Sequence, residues 1–269
     1  MSPATHLPVP VTLIVATTPI PSPMQPGKLL LGIGLNGTLP WPRIKTDMSF
    51  FARVTSRPLP PITPGQNARS NALIMGRKTY DSVPPKLRPL GKRVNVVISR
   101  DVGGEVRERV ARELEEKRER EAALAAAKAD AGAEQTEKKL EGQTDAFVSS
   151  SLEDALQTLD SAAESGDIGH VYVIGGAEIY GAILLLGQST QGGKGRKVRI
   201  VMTDVERVDG GSFECDTFFP VDGEELRGEC WRKVSAQEVT EWVGEEVSGE
   251  WIEEGDVRVR MVGYERVDL

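Results

Sequence analysis

The sequence has few of the residues that most often bind metals, form disulfides or transfer protons. Of its 269 residues, two are cysteine and two are histidine. Cys215 and Cys230 have no metal-ligand spacing and do not form a secreted disulfide framework, so we expect two reduced thiols and no metal site. His6 lies in a Pro-rich start and His170 precedes an apolar strand, and neither has an obvious acid–base partner. Any proton chemistry is therefore expected to use a carboxylate.

Long apolar runs and an excess of positive charge are also missing. The longest early apolar run, Val11 to Ala16, is too short for a signal peptide core or a membrane span. The formal charge of −7 opposes non-specific attraction to nucleic acid. We therefore expect a cytoplasmic globular protein, a monomer with no membrane or nucleic-acid partner.

Short β-branched runs recur along the chain and predict eight strands. They cover Val11–Thr17, Ala72–Met75, Val94–Ser99, Ala146–Ser149, Val171–Ile174, Lys197–Glu206, Trp231–Glu241 and Val257–Val267. Helices are predicted from about Lys45 to Thr55, from near Lys78, from Leu152 to Leu159 and from Ala177 to Leu186. The order predicts an α/β fold, a single domain over residues 1–269 whose sheet is mostly parallel and ends antiparallel.

Several segments between these elements are predicted from their composition. Ser150 and Glu153 have the spacing of a capping box at the start of the Leu152 helix. Loops rich in Pro, Gly, Ser or Gln are expected at Pro19–Lys28, Arg57–Ser70 and Gly187–Arg196.

The segment from about 103 to 143 is dominated by Ala, Glu, Lys and Arg and predicts a solvated helix that frays towards Gly132. Its acidic and basic residues repeat at i,i+4 spacing in four pairs: Glu105/Arg109, Glu108/Arg112, Glu113/Lys117 and Glu116/Arg120. It is either a partner-binding helix or a tolerated insertion. The missing continuous apolar stripe favours an insertion outside the chemistry.

A glycine-rich loop with a Pro-Trp step, Gly32 to Trp41, runs into the first predicted helix. On that helix Asp47 and Phe51 share one face, so a carboxylate and an aromatic ring could line one pocket. A partly buried acid suits proton relay or recognition of an amidine-like group with two N–H donors. The alternative for Asp47 is capping of the helix from its first turn.

Three strand ends carry groups that suit a nucleotide, although no G-x-G-x-x-G is present. Gly76-Arg77-Lys78-Thr79 and Ser99-Arg100 each follow a strand and offer hydroxyls and cations to phosphates. Gly175 and Gly176 separate a strand from a helix and would let a dinucleotide approach the backbone. Taken singly, each has a plain alternative: an exposed basic turn, a solvated arginine or a simple tight turn.

Together and in this order, the segments resemble dihydrofolate reductases. The matching segments are Leu39–Trp41, Asp47, Met75–Thr79, Arg88–Leu90, Ser99–Arg100, Val173–Gly176 and Asp216–Pro220. The resemblance covers nearly the whole chain apart from its insertions, whose lengths resemble those of fungal members. It implies an eight-stranded central sheet with the last strand antiparallel, about four flanking helices and a cis bond between Gly175 and Gly176.

The resemblance also implies roles for individual residues. Asp47 would bind the pterin 2-amino group and ring N–H, with Thr203 hydrogen-bonded to its carboxylate and Trp41 bracing an ordered water nearby. Arg93 would pair with the substrate's glutamate carboxylate. The apolar walls would be Leu39, Phe51, Val83 and Ile174. The NADPH site would comprise Ala16, Ile33, Gly34, Gly37, Thr38, Arg77, Lys78, Thr79, Ser99, Arg100, Gly175, Gly176, Ala177, Glu178, Ile179 and Tyr180.

The implied reaction is NADPH-dependent reduction of 7,8-dihydrofolate to tetrahydrofolate, in support of one-carbon metabolism. Hydride would pass from nicotinamide C4 to pterin C6, with N5 protonated from water. The resemblance also implies that antifolates bind, but Tyr80 and Leu87 depart from the family pattern, so inhibitor selectivity does not carry over. Two alternatives remain. A riboflavin-pathway reductase is disfavoured by the Leu39–Trp41 step together with Asp47. A non-catalytic nucleotide-binding module is disfavoured by the set Asp47, Thr203 and Arg93.

Overall fold

The computed structural model describes residues 8–63, 65–130, 142–186 and 195–267. Within them the chain is a mixed α/β protein, as predicted, with eleven strands and six α-helices. The strands are β1 (Val11–Pro21), β2 (Leu29–Gly34), β3 (Ser70–Gly76), β4 (Arg93–Ile98), β5 (Asp145–Ser149), β6 (Ile168–Val173), β7 (Val198–Arg207), β8 (Thr217–Phe218), β9 (Trp231–Val234), β10 (Ile252–Glu254) and β11 (Val257–Arg266). The helices are α1 (Lys45–Ser56), α2 (Arg77–Ser82), α3 (Glu105–Asp130), α4 (Leu152–Glu164), α5 (Ala177–Leu186) and α6 (Ala236–Val243).

The chain divides into two compact units. Unit 1 comprises Met1–Val54 and Tyr172–Leu269, and unit 2 comprises Thr55–Val171. The single domain expected from the sequence stays a prediction. Among the described residues, none of the helices is long and apolar enough to cross a membrane. Cys215 and Cys230 are free thiols, as predicted.

Unit 1 is built around β7. Strand β1 lies parallel to β7, with Ala16 opposite Thr203. The C-terminal strand β11 lies antiparallel to β7, which confirms the predicted end of the sheet. Strands β9 and β10 pair antiparallel with β11, β2 pairs antiparallel with β1, and β8 pairs with β2. The interior contains fully buried Leu13, Ile200 and Val259.

Unit 2 contains a run of parallel strands. Strand β3 lies parallel to β4, and β4 lies parallel to β5. The centre of β3, from Ala72 to Met75, is fully buried, as expected for an apolar strand covered on both faces. Helix α3 adds the buried side chains of Val110 and Leu114. This parallel arrangement places the carboxyl ends of β3 and β4 side by side.

The sequence prediction missed three short strands. Strand β2 contains Gly32 and Gly34, which weaken a strand signal, yet backbone pairing with β1 holds it extended. The glycine-rich loop predicted from Gly32 therefore begins only after Gly34. Strands β8 and β10 have only two and three residues, too few for a detectable alternation. The first predicted loop is shortened because β1 continues to Pro21.

The predicted strand Trp231–Glu241 is wrong in its second half. The strand β9 ends at Val234, and helix α6 begins at Ala236. Ser235 accepts from the Glu238 N–H at 3.2 Å while Glu238 accepts from the Ser235 N–H at 3.1 Å, a capping box that fixes the helix start. Gly244, with φ of 65°, ends the helix. Local capping therefore overrides the β-branched composition.

The substitution Ser235→Ala tests this explanation. We expect it to lower the free energy of unfolding by about 1 kcal/mol, because the Glu238 N–H loses its acceptor. Chemical denaturation followed by circular dichroism measures the change, with Ser212→Ala as an exposed serine control. An unchanged midpoint for Ser235→Ala would show that the cap does not stabilise α6.

The predicted cap of α4 also needs correction. The cap of α4 is one residue later than expected: Ser151 accepts from the Asp154 N–H at 3.1 Å, and Ser150 instead donates to the Asp154 carboxylate. The charged segment is helical from Glu105 to Asp130, as predicted. Its fraying towards Gly132, and most of the predicted loop Gly187–Arg196, lie outside the described residues.

Candidate active site

The acid singled out from the sequence, Asp47, lies in the first turn of α1, but it does not cap that helix. Glu254 of β10 performs this role, since its carboxylate accepts from the N–H groups of Lys45 at 2.6 Å and Thr46 at 2.9 Å. These backbone hydrogen bonds, Thr46 first, lower the pKa of Glu254. The Asp47 carboxylate is therefore left available for another role.

The surroundings of Asp47 combine burial with one hydrogen bond. Burial raises the pKa of Asp47, the hydrogen bond from Thr203 opposes that rise, and the charge of Glu254 adds to it. Thr203 is 3% exposed on β7, next to Ala16 of β1. A carboxylate held in this way can accept hydrogen bonds from a planar N–H pair.

Trp41 packs beside these residues. Its indole contacts a buried cluster that includes Ile44, Val205 and Val259, and Ala16 packs against the same cluster. Phe213 meets the indole edge to face at 5.9 Å. The buried Nε1 of Trp41 has no hydrogen-bond partner among the described residues. This donor therefore suits an additional acceptor.

The glycine-rich loop is a tight hairpin. Leu35 and Thr38 exchange backbone hydrogen bonds of 2.9 and 3.0 Å, and Asn36 and Gly37 between them have φ of 52° and 75°. These angles are those of a two-residue turn that favours Asn-Gly. The Asn36 N–H also donates to the Asp216 carboxylate at 2.7 Å, and this bond is the first cause of the lowered pKa of Asp216. Asp216 therefore holds the turn.

The glycine pair after β6 has the predicted geometry. The peptide bond between Gly175 and Gly176 is cis, and Gly175 has a φ of 125°, a region that favours glycine. Helix α5 starts directly afterwards, at Ala177. The Tyr180 hydroxyl donates to the Ile14 carbonyl at 2.8 Å, so its side chain is committed to β1. Only the backbone of Tyr180 is left to take part in ligand binding.

In unit 2, the predicted phosphate-binding residues meet at one edge. Gly76, the last residue of β3, lies opposite Ile98, the last residue of β4. The segments that follow, Arg77–Thr79 and Ser99–Arg100, therefore start side by side. Arg77, Lys78 and Arg100 are exposed. The edge thus presents three cations from two adjacent strand ends, a pattern that favours an anionic ligand.

Arg93 lies at the opposite end of β4 and is 8% exposed. Its guanidinium donates to the Thr55 hydroxyl at 2.6 Å and to the Gly91 carbonyl at 2.8 Å. Burial lowers the pKa of Arg93 to about 10. Since a buried cation is unfavourable without an opposing charge, this site suits a carboxylate.

The remaining predicted site residues differ in exposure. Phe51, Ile174 and Val83 are half-buried, while Leu39 is 48% exposed. Ile33 and Gly34 lie at the end of β2. Glu254 and the role of Asp216 in the site were not predicted from the sequence, because both residues act through contacts to residues far away in the chain. For Asp216, the only indication in the sequence was its place at the start of the Asp216–Pro220 segment.

Comparisons with known proteins identify the family that this chain resembles. The family model for dihydrofolate reductase matches residues 30–135. A dihydrofolate reductase of Cryptococcus neoformans is 32% identical, over 84% of this chain and 86% of its own. The enzyme of Candida albicans is 29% identical over 85% of this chain and 88% of its own. The enzyme of Gallus gallus is 32% identical over 71% of this chain and 72% of its own.

Among solved structures, a Schistosoma mansoni dihydrofolate reductase aligns with a TM-score of 0.56 over 96% of this chain and 98% of its own. At 22% sequence identity this match supports the fold alone. The sequence relatives go further, because those of Cryptococcus neoformans and Gallus gallus exceed 30% identity over most of both chains. The chain belongs to the dihydrofolate reductase family.

Proposed function

We propose that this chain reduces 7,8-dihydrofolate to 5,6,7,8-tetrahydrofolate with NADPH as the reductant. NADPH supplies a hydride from nicotinamide C4 to pterin C6, and N5 takes a proton, so one NADPH and one proton are consumed for each tetrahydrofolate formed. The observation that carries the proposal is the half-buried Asp47 carboxylate, which is hydrogen-bonded to Thr203. It does not cap its own helix, because Glu254 accepts from the N–H groups there.

Asp47 binds the 2-amino group and the adjacent ring N–H of the pterin, and Thr203 fixes the carboxylate. Phe51, Leu39, Ile174 and Val83 supply apolar contacts to the substrate. Trp41 donates from Nε1 to a water beside Asp47, and this water delivers the proton to N5. The unpartnered, buried Nε1 supports that role.

The cofactor roles follow the chemistry of each segment. Arg77, Lys78, Thr79, Ser99 and Arg100 hold phosphates, supported by the cations at adjacent strand ends. The side-chain-free Gly175–Gly176 pair and the start of α5, Ala177 to Tyr180, receive the pyrophosphate. Ala16, Ile33 and Gly34 contact the nicotinamide, and the turn carrying Gly37 and Thr38 excludes water from it.

The direct test is NADPH oxidation at 340 nm with the full chain, with and without 7,8-dihydrofolate. We expect substrate-dependent oxidation that is faster with NADPH than with NADH, because a 2′-phosphate meets the cations of unit 2. Chromatography of the product identifies tetrahydrofolate. Oxidation that does not depend on dihydrofolate would refute the proposal. We also propose that the enzyme is a cytoplasmic monomer that antifolates inhibit.

A further inference from the structure

The charged helix α3 contacts the phosphate-binding helix α2 at Asp81, whose carboxylate accepts hydrogen bonds from an arginine of each helix. Asp81, in the last turn of α2, accepts from Arg77 of its own helix at 3.1 Å. Its other oxygen accepts from Arg109 of α3 at 2.6 Å. Arg88 lies 3.7 Å from that same oxygen. Asp81 therefore links Arg77, a proposed phosphate ligand, to an arginine of the insertion.

A second contact fixes α3 in the same place. Glu113, one turn after Arg109, accepts from the Tyr80 hydroxyl at 2.6 Å and lies 3.6 Å from Arg88. The Arg88 guanidinium also covers the Tyr80 ring at 5.6 Å. Arg109 and Glu113 thus reach across to the segment after β3. The prediction of a helix with purely solvated charges is wrong for these two residues.

The arrangement has an electrostatic consequence for Arg77. A carboxylate one turn away on the same helix draws the Arg77 guanidinium towards itself and offsets its charge, and both effects oppose the binding of a phosphate. Arg109 takes one oxygen of that carboxylate and supplies the compensating positive charge. Arg77 is consequently freer to bind an anion than it would be beside Asp81 alone.

We propose that Arg109 is a positioning residue that acts through Asp81 to strengthen the hold of Arg77 on the 2′-phosphate of NADPH. The insertion helix then contributes to the preference for NADPH over NADH. This inference rests on the proposed function, since it assigns that phosphate to the Arg77 edge. Arg77, Asp81 and Arg109 have side chains 48%, 29% and 33% exposed, so solvent screens the interaction and the effect is modest.

The experiment measures dissociation constants of the full-length chain for NADPH and NADH, from quenching of tryptophan fluorescence at low ionic strength. For Arg109→Gln we expect NADPH to bind about fivefold more weakly while NADH changes less than about twofold. For Asp81→Asn we expect NADPH to bind about twofold more tightly. In the double variant the loss of NADPH affinity caused by Arg109→Gln should largely disappear, because Asp81 transmits the effect of Arg109 to Arg77.

Two further variants separate this effect from folding and from bulk charge. Arg112→Gln removes the same charge from an exposed position of α3 and should leave both constants unchanged. Arg109→Lys keeps the charge and should retain most of the NADPH affinity, which gives a result even if Arg109→Gln folds poorly.

The inference is overturned if Arg109→Gln weakens the binding of NADPH and NADH equally. It is also overturned if Arg109→Gln causes the same loss of NADPH affinity in the Asp81→Asn background. A wild-type chain that does not prefer NADPH to NADH instead overturns the proposed function together with this inference.

Discussion

Replacing Asp47 with Asn is expected to lower the turnover of dihydrofolate about 100-fold or more, while the dissociation constant for NADPH changes less than about twofold. The amide retains the shape of the carboxylate but replaces one acceptor with a donor that faces the pterin N–H pair. Electrostatic support for protonation of N5 is lost at the same time. Single-turnover kinetics with pre-bound NADPH measure the chemical step, and fluorescence titration measures cofactor binding.

The stability of the Asp47→Asn variant is the internal control. Burial raises the pKa of Asp47 in the folded state, so the ionised carboxylate lowers stability at neutral pH. This loss of stability is absent at pH values below the pKa that Asp47 has in the unfolded chain. It is complete at pH values above the pKa that Asp47 has in the folded state. The variant should therefore be at least as stable as wild type at pH 7 to 8, with the difference vanishing in acid.

Thermal unfolding across this pH range measures the difference. A variant with normal Tm and near-normal turnover would remove Asp47 from the mechanism. A variant with a lowered Tm at pH 7 would contradict the assigned direction of the Asp47 pKa shift.

The elements that the sequence predicted well are those with strong local signals. Strand β3 contains the apolar run Ala72–Met75, β4 is rich in valine, and the ends of both strands were predicted within two residues. The bounds of α5 agree with the prediction, because a glycine pair precedes it and an apolar run fills it. The pairing of Asp47 with Thr203 came from family resemblance, since the two residues are far apart in the chain and no local pattern connects them.

The parts that the sequence did not predict depend on distant contacts. The start of α1 is capped by Glu254, which lies 209 residues beyond Lys45. Asp216 reaches the turn at Asn36 across 180 residues. In each case one carboxylate satisfies backbone N–H groups of another segment, and the sequence near those groups carries no sign of it. Helix α6 is different, because Ser235 and Glu238 have the spacing of a capping box and the local sequence therefore contains a signal for the helix start.

Replacing Arg93 with Ala is expected to raise KM for dihydrofolate about 100-fold, with a much smaller change in kcat. The buried guanidinium is proposed to pair with the glutamate carboxylate, and its loss would leave that carboxylate without a matching charge. At neutral pH the side chain remains a cation, although burial lowers its pKa to about 10. The carboxylate of the bound substrate offsets the cost of burying this charge.

A substrate without the glutamate provides the sharpest measurement of this role. Wild type and Arg93→Ala should reduce a dihydropterin that lacks the p-aminobenzoylglutamate tail with nearly equal kcat/KM, since neither can use the tail. Arg93→Lys should recover only part of the affinity for dihydrofolate, because a point charge cannot form the two parallel hydrogen bonds of a guanidinium. Arg93 also donates to Thr55, so a general loss of folding would lower the turnover of both substrates. An unchanged KM for dihydrofolate in Arg93→Ala would contradict the assignment, because the tail would then bind elsewhere.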